Sequence, residues 1–234
     1  MANITTQNFA DADAQAEALA QNVAAQLREA IAARGGAVIA VSGGTTPKAF
    51  FVQLSKQELD WPTVTVTLVD ERWVPDTDDR SNARLVKSNL LQNAAAAANF
   101  VPLYTGAATP EAGLAEAEAS IVALPAPFDA VVLGMGDDGH TASFFPGGDH
   151  LAEATDPHGT AKVWPMHAAG AGEPRVTLSL PALLDTRALY LLVRGTGKRD
   201  LLAAVQQGVD AAKDYPVRSV VMQVSVPLAI YWSP

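Results

Sequence analysis

Apolar positions recur along this chain in two alternating rhythms. Residues 10–33 are Ala-rich and carry Leu19, Val23, Leu27 and Ile31 at four-residue spacing, the stripe of an amphipathic helix. Gly35 and Gly36 predict its end. "AVIAV" (37–41) is a short, unbroken apolar run, as in strands buried on both faces of a parallel sheet. After SGGTTP (42–47), a second helix is expected from Pro47, because proline suits a first helical turn. Further strands are predicted at "VTVTLVD" (64–70), "FDAVVLG" (128–134), "RALYLLVRG" (187–195) and "SVPLAIYW" (225–232). Further helices are predicted from Ser81 to Asn93, Pro110 to Leu124 and Lys198 to Gln207. The alanines at 94–98 read as part of a helix end, and 146–174 as the longest irregular stretch. Strands alternating with helices imply βαβ units and an open, doubly wound α/β sheet. No repeat or compositional break divides the chain, so a single domain over 1–234 is expected.

Composition narrows the picture. With 234 residues, 49% of them hydrophobic, the chain can bury one full core. The net charge of -9 repels nucleic acid and anionic lipid, so neither is an expected partner. An anionic small substrate then needs a local cluster of cations. The absence of cysteine rules out disulfides, thiolate metal sites and Cys nucleophiles. MANITTQNFADADAQ has neither a basic nor an apolar leader region, and no run approaches the roughly 20 apolar residues of a membrane helix, so a cytoplasmic protein is expected.

Ligands of open α/β sheets bind beyond the carboxyl ends of the strands. The residues there are SGGTTP, DERW (70–73), GMGDDGH (134–140) and RGTGK (194–198). Ser42, Gly43, Gly44 and Thr45 offer hydroxyls and uncovered N–H groups before a helix N-terminus, which favours a phosphate; a helix cap made by Thr45 or Thr46 is the plainer alternative. It is not a Walker loop, because G-x-x-x-x-G-K-[ST] is absent. Lys198 and Arg175 are candidate phosphate cations. Asp70 and Glu71 are placed to hold Arg72, which would then face an anionic or developing oxyanion group; a purely structural ion pair at the strand end is the equally weighted alternative.

GMGDDG formally matches the dinucleotide fingerprint G-x-G-x-x-G. That fingerprint needs a long following helix, and Pro146, Gly147 and Gly148 cut this one short. Asp137 and Asp138 would also repel a pyrophosphate, so NAD binding is rejected. The segment instead offers His140, expected near a helix N-terminus and oriented by Asp138, as a general base. His150, His158 and His167 lack metal-ligand spacing, and no metal is expected.

SGGTTP, DERWVP…RSN (70–82), GMGDDGHTASFFPG (134–147), RVTLSLPAL (175–183) and GTGK (195–198) together resemble the 6-phosphogluconolactonases, which share a superfamily with glucosamine-6-phosphate deaminases. The resemblance spans Val41 to Lys198. It implies a Rossmann-like fold with a mostly parallel sheet flanked by helices. It also implies cofactor-free hydrolysis of a sugar-phosphate lactone, 6-phospho-D-glucono-1,5-lactone, in the oxidative pentose phosphate pathway. By matching motifs, His140 takes the catalytic histidine position, Gly43 to Thr45 the phosphate loop, and Arg72, Arg175 and Lys198 the cationic positions. The deaminase motif resembles DGHIAFNEPG, whose glutamate takes part in proton transfer; Phe145 stands in its place here, and Arg72 departs from a DEY-like pattern. Both departures point to the lactonase. A sugar-phosphate sensor, the remaining rival, would be expected to carry a basic DNA-binding module, and none is seen.

Overall fold

In the computed structural model, which describes residues 3–234, the run Ala37–Val41 is a strand buried at every position. The strands of the described residues are β1 (Ile4–Asn8), β2 (Ala37–Val41), β3 (Val64–Leu68), β4 (Asp70–Arg72), β5 (Asn99–Val101), β6 (Ala130–Gly134), β7 (Val163–Met166), β8 (Arg175–Leu178), β9 (Leu189–Arg194) and β10 (Leu228–Ser233). The helices are α1 (Ala12–Arg34), α2 (Pro47–Leu54), α3 (Asn82–Asn89), α4 (Pro110–Val122), α5 (Leu151–Ala154), α6 (Leu180–Leu184), α7 (Thr196–Gln206) and α8 (Arg218–Val221).

The main sheet has seven strands in the order β1-β10-β9-β6-β2-β3-β5, and every neighbouring pair is parallel. Its apolar runs are continuous because helices cover it and exclude water from both faces. From β2 the chain moves outward through β3 to β5. It then returns to the other side of β2 and proceeds through β6, β9 and β10. The order therefore reverses between β2 and β6, and the crevice beyond their carboxyl ends is where such sheets take ligands.

Helix α1 buries Leu19, Val23 and Leu27 as its spacing requires. Asp11 caps it, accepting from the Ala14 amide at 2.9 Å. Gly35 ends it in the left-handed region at φ +79°, a conformation that costs other residues about 1–2 kcal/mol. Helix α3 begins after Ser81 and stops at Asn89, and the alanines expected as helix form a 3-10 turn over Asn93–Ala97.

The strand expected over 64–70 is two strands. Val69 N donates to Val41 O at 3.0 Å in the main sheet, while Val69 O accepts from Leu178 N at 2.8 Å. The chain thus passes at residue 69 into a small antiparallel sheet, β4-β8-β7. That sheet takes up part of the stretch expected to be irregular. It brings Arg175 directly opposite Arg72.

Candidate active site

The turn after β2 is shaped by close approach. A Cβ on Gly43 would lie 1.8 Å from Asn82 Oδ1, and Gly44 adopts φ +98°. Thr46 occupies the cap position of α2 but makes no side-chain cap bond, so the plainer reading of SGGTTP as a capped turn does not hold. The side-chain hydroxyls of this turn are left for another partner.

Asp70 and Glu71 do not hold the Arg72 guanidinium, contrary to expectation. Glu71 points toward α3 instead. Its carboxylate accepts from the amides of Asn82 and Ala83 at 2.7 Å each and from Ser81 Oγ at 3.0 Å, and it also takes the Arg72 amide. Complete burial pushes the Glu71 carboxyl up, against the pull of these bonds. Asp70 accepts from Ser143 Oγ at 2.6 Å and from Asn82 Nδ2 at 3.4 Å. The Arg72 guanidinium donates to the Arg80 carbonyl, and its buried Nε has no hydrogen-bond partner among the described residues.

The GMGDDGH segment closes on itself, with Gly136 N donating to His140 O at 2.9 Å and Gly139 N to Gly136 O at 3.2 Å. His140 Nδ1 lies 2.6 Å from Asp138 Oδ1. The same oxygen accepts the His140 amide at 3.1 Å. Burial raises the Asp138 carboxyl, but the bonds from the His140 amide and ring outweigh it, so its pKa falls below the ordinary value. An ionised Asp138 requires the proton on Nδ1, which leaves Nε2 as the basic nitrogen. Gly136 is needed because a Cβ there would lie 2.2 Å from Nδ1. Gly139 sits at φ +74° against the Tyr215 ring. No helix follows His140; residues 141–148 are turns with a Thr141–Phe144 bridge. The helix N-terminus expected beside the imidazole is absent, because Pro146 and two glycines follow too soon. The ring stacks instead on Phe145, with centroids 4.3 Å apart and planes 27° apart.

Arg175 also lies over the Phe145 ring, its guanidinium carbon 5.2 Å from the centroid. Nη2 donates to Ala171 O at 2.7 Å, Nη1 lies 3.8 Å from Asp70 Oδ2, and the buried Nε has no partner among the described residues. Burial lowers its pKa; Asp70 opposes this and Arg72 adds to it. Lys198, from the first turn of α7, reaches across to Met135 O at 2.8 Å.

These side chains surround one cavity of about 250 Å³ at the β2–β6 crevice. Among the residues given a binding or catalytic part from the sequence, Ser42, Gly43, Gly44, Thr45, Asp70, Arg72, His140, Arg175 and Lys198 line it. Asp138 stands behind His140. Sequence reasoning gave no role to Asn82, which lines the cavity, or to Ser143, which ties the His140 segment to Asp70. Asn82 lies within the quoted RSN segment; Ser143 carries no signal before the fold is known. His167 pairs with Asp149 at 2.9 Å, and no grouping suited to a metal occurs among the described residues. The cavity thus combines three cations, a carboxylate-oriented imidazole and free turn amides, a setting for an anionic substrate and a proton transfer.

The fold and this crevice define an α/β protein with a cation-lined pocket at the switch point of its sheet. Residues 10–229 match the family profile described as glucosamine-6-phosphate isomerases/6-phosphogluconolactonase, and the chain belongs to that family. It is 55% identical to a 6-phosphogluconolactonase of Rhizobium meliloti (strain 1021), over 97% of each chain. A solved 6-phosphogluconolactonase from Shewanella baltica OS155 superposes with a TM-score of 0.92 at 40% identity, covering 99% of this chain and 98% of that one. A monomeric glucosamine-6-phosphate deaminase has the same fold, with a TM-score of 0.77 at 17% identity, covering 97% of this chain and 96% of that one. Fold alone therefore does not separate the two activities; the residues around His140 must.

Proposed function

We propose that this chain hydrolyses 6-phospho-D-glucono-1,5-lactone to 6-phospho-D-gluconate, with His140 activating the water. The observation that carries the mechanism is the 2.6 Å contact between His140 Nδ1 and Asp138, inside a cavity lined by three cations. His140 Nε2 takes a proton from water as its oxygen attacks the lactone C1. The carbonyl becomes a tetrahedral oxyanion, which Arg72 meets. The imidazolium, steadied by Asp138, then returns the proton to the leaving ring oxygen. Atoms balance with one water consumed and no cofactor. Lys198, Arg175, the hydroxyls of Ser42 and Thr45 and the amides of the Gly43–Thr45 turn hold the phosphate and fix the ring for attack.

Phe145 favours hydrolysis over deamination. It is buried and packed on the imidazole, so the place of the deaminase glutamate holds no proton-transfer group. The test generates the lactone fresh and follows 6-phosphogluconate formation above the spontaneous rate, beside an ammonia assay on glucosamine 6-phosphate. H140A should lose about 10²–10⁴-fold in kcat. Near-normal turnover by H140A, or ammonia release by the unaltered chain, would defeat the reading.

A further inference from the structure

Arg72 and Arg175 come from neighbouring strands, but each is aimed by a carbonyl from a different loop. Arg72 Nη1 donates to Arg80 O, in the segment between β4 and α3. Arg175 Nη2 donates to Ala171 O, in the segment between β7 and β8. A side-chain bridge joins these two segments: Arg80 Nη1 lies 3.0 Å from Glu173 Oε2.

Arg80 is itself tightly placed. Its Nε and Nη2 take the two oxygens of Asp78 at 3.1 and 2.9 Å, and its amide donates to Asp78 Oδ1 at 2.9 Å. These bonds, the side-chain one foremost, pull the Asp78 carboxyl down to about 2. The Asp78–Arg80 turn therefore fixes both the backbone carrying the Arg80 carbonyl and the fork that reaches Glu173. A lone exposed ion pair contributes little to stability. This one links the two segments that set the directions of two cavity cations.

We propose that the Arg80–Glu173 bridge is a positioning device for Arg72 and Arg175. It acts through the carbonyls of Arg80 and Ala171 and touches no substrate. The proposal rests on the reading above, in which Arg72 and Arg175 meet the anionic groups of the substrate. Misplacement of a contacting group by about 1 Å can cost about 100-fold in rate, so a small loop shift is enough to register.

The test compares R80Q, E173Q and the double variant with R72Q and R175Q, reading kcat/KM, the inhibition constant of 6-phosphogluconate, and Tm. K213Q, which breaks a remote exposed pair with Asp210, serves as a control. R80Q and E173Q should each lower kcat/KM about 3–10-fold and weaken product inhibition by a similar factor, with Tm within about 1 °C of the parent. The double variant should be no worse than the poorer single one, because both remove one unit. Lysine presents a point charge rather than a fork, so R80K should recover only part of the loss. If R72Q and R175Q impair the enzyme while R80Q and E173Q match K213Q, the positioning role is overturned and the anion reading stands. If R72Q and R175Q also change nothing, the anion reading itself fails.

Discussion

Arg72 and Arg175 are register partners across β4 and β8, and the buried Nε of each lacks a hydrogen-bond partner among the described residues. Like charges set opposite each other on a sheet repel, and an unpaired buried donor carries a desolvation cost. An anion between them removes both penalties. In the proposed reading Arg175 meets the phosphate and Arg72 the reacting end of the ligand, so a bound phosphorylated ligand would relieve part of this repulsion. At 100 times its Kd, 6-phosphogluconate should stabilise the fold by about 2.7 kcal/mol, a Tm rise of about 5–10 °C. Gluconate, without the phosphate, should give a much smaller rise in a thermal scan. Equal shifts from the two ligands would contradict the cation cluster as the anchor.

Asp138 makes a prediction about acid stability. Its folded pKa lies below the ordinary 3.8, since bonds from His140 outweigh its burial. A carboxylate of this kind contributes stability that is fully present above the unfolded value and lost as pH falls through the folded one. D138N should therefore flatten that part of the acid-unfolding curve lying below about pH 3.8. At neutral pH it should lower kcat more than it raises KM. An unchanged acid limb, followed by circular dichroism, would remove the proposed interaction.

Gly139 supports the same pair through its backbone. It adopts φ +74°, and a Cβ there would lie 2.6 Å from the Tyr215 ring. G139A should cost about 1–3 kcal/mol and displace the turn that presents Asp138 and His140, with a fall in kcat of about 10-fold or more. Adding Y215G removes the side chain it meets, including the Cβ at 2.8 Å, but not the backbone strain at Gly139, so the double variant should recover part of the activity. Full activity in G139A alone, read by the lactone assay, would contradict this.

Glu71 tests the frame of the site without touching the cavity. A carboxamide replaces one accepting oxygen with a donor that faces other donors. E71Q should lose about 1–3 kcal/mol, or roughly 2–10 °C in Tm, with a smaller effect on kcat than on stability. A Tm equal to the parent would show that the buried carboxylate is dispensable to α3.

Much of the main sheet was legible because β2, β6, β9 and β10 are nearly unbroken apolar runs and β3 alternates valine with β-branched threonine. Strand β1, "ITTQN", was not, since it is polar and mostly exposed. Strand β5 is three residues long, too short for any periodicity to register. The small sheet was hidden for a different reason. Its first strand is the charged triplet Asp70–Arg72, and its partners lie about a hundred residues away, so only tertiary pairing defines it. The cavity-lining residues were readable because carboxyl-end loops of a parallel sheet converge whatever their spacing in sequence. What holds those residues was not. The turn of Glu71 toward α3, the carbonyl support of Arg72 and the Phe145–His140 stack join residues only 5 to 12 positions apart, but through loop conformations that no periodic pattern announces.

The place of β1 in the sheet has a consequence for how the protein comes to be made. Among the described residues its one sheet neighbour is β10, and the register pairs Ile4 with Leu228. A ribosome makes β1 more than two hundred residues before its partner. Until β10 is made this strand has no ladder to join, and its polar surface suits a segment that must wait in water. This edge of the sheet is finished only when β10 arrives, so its closure joins two segments made far apart in time.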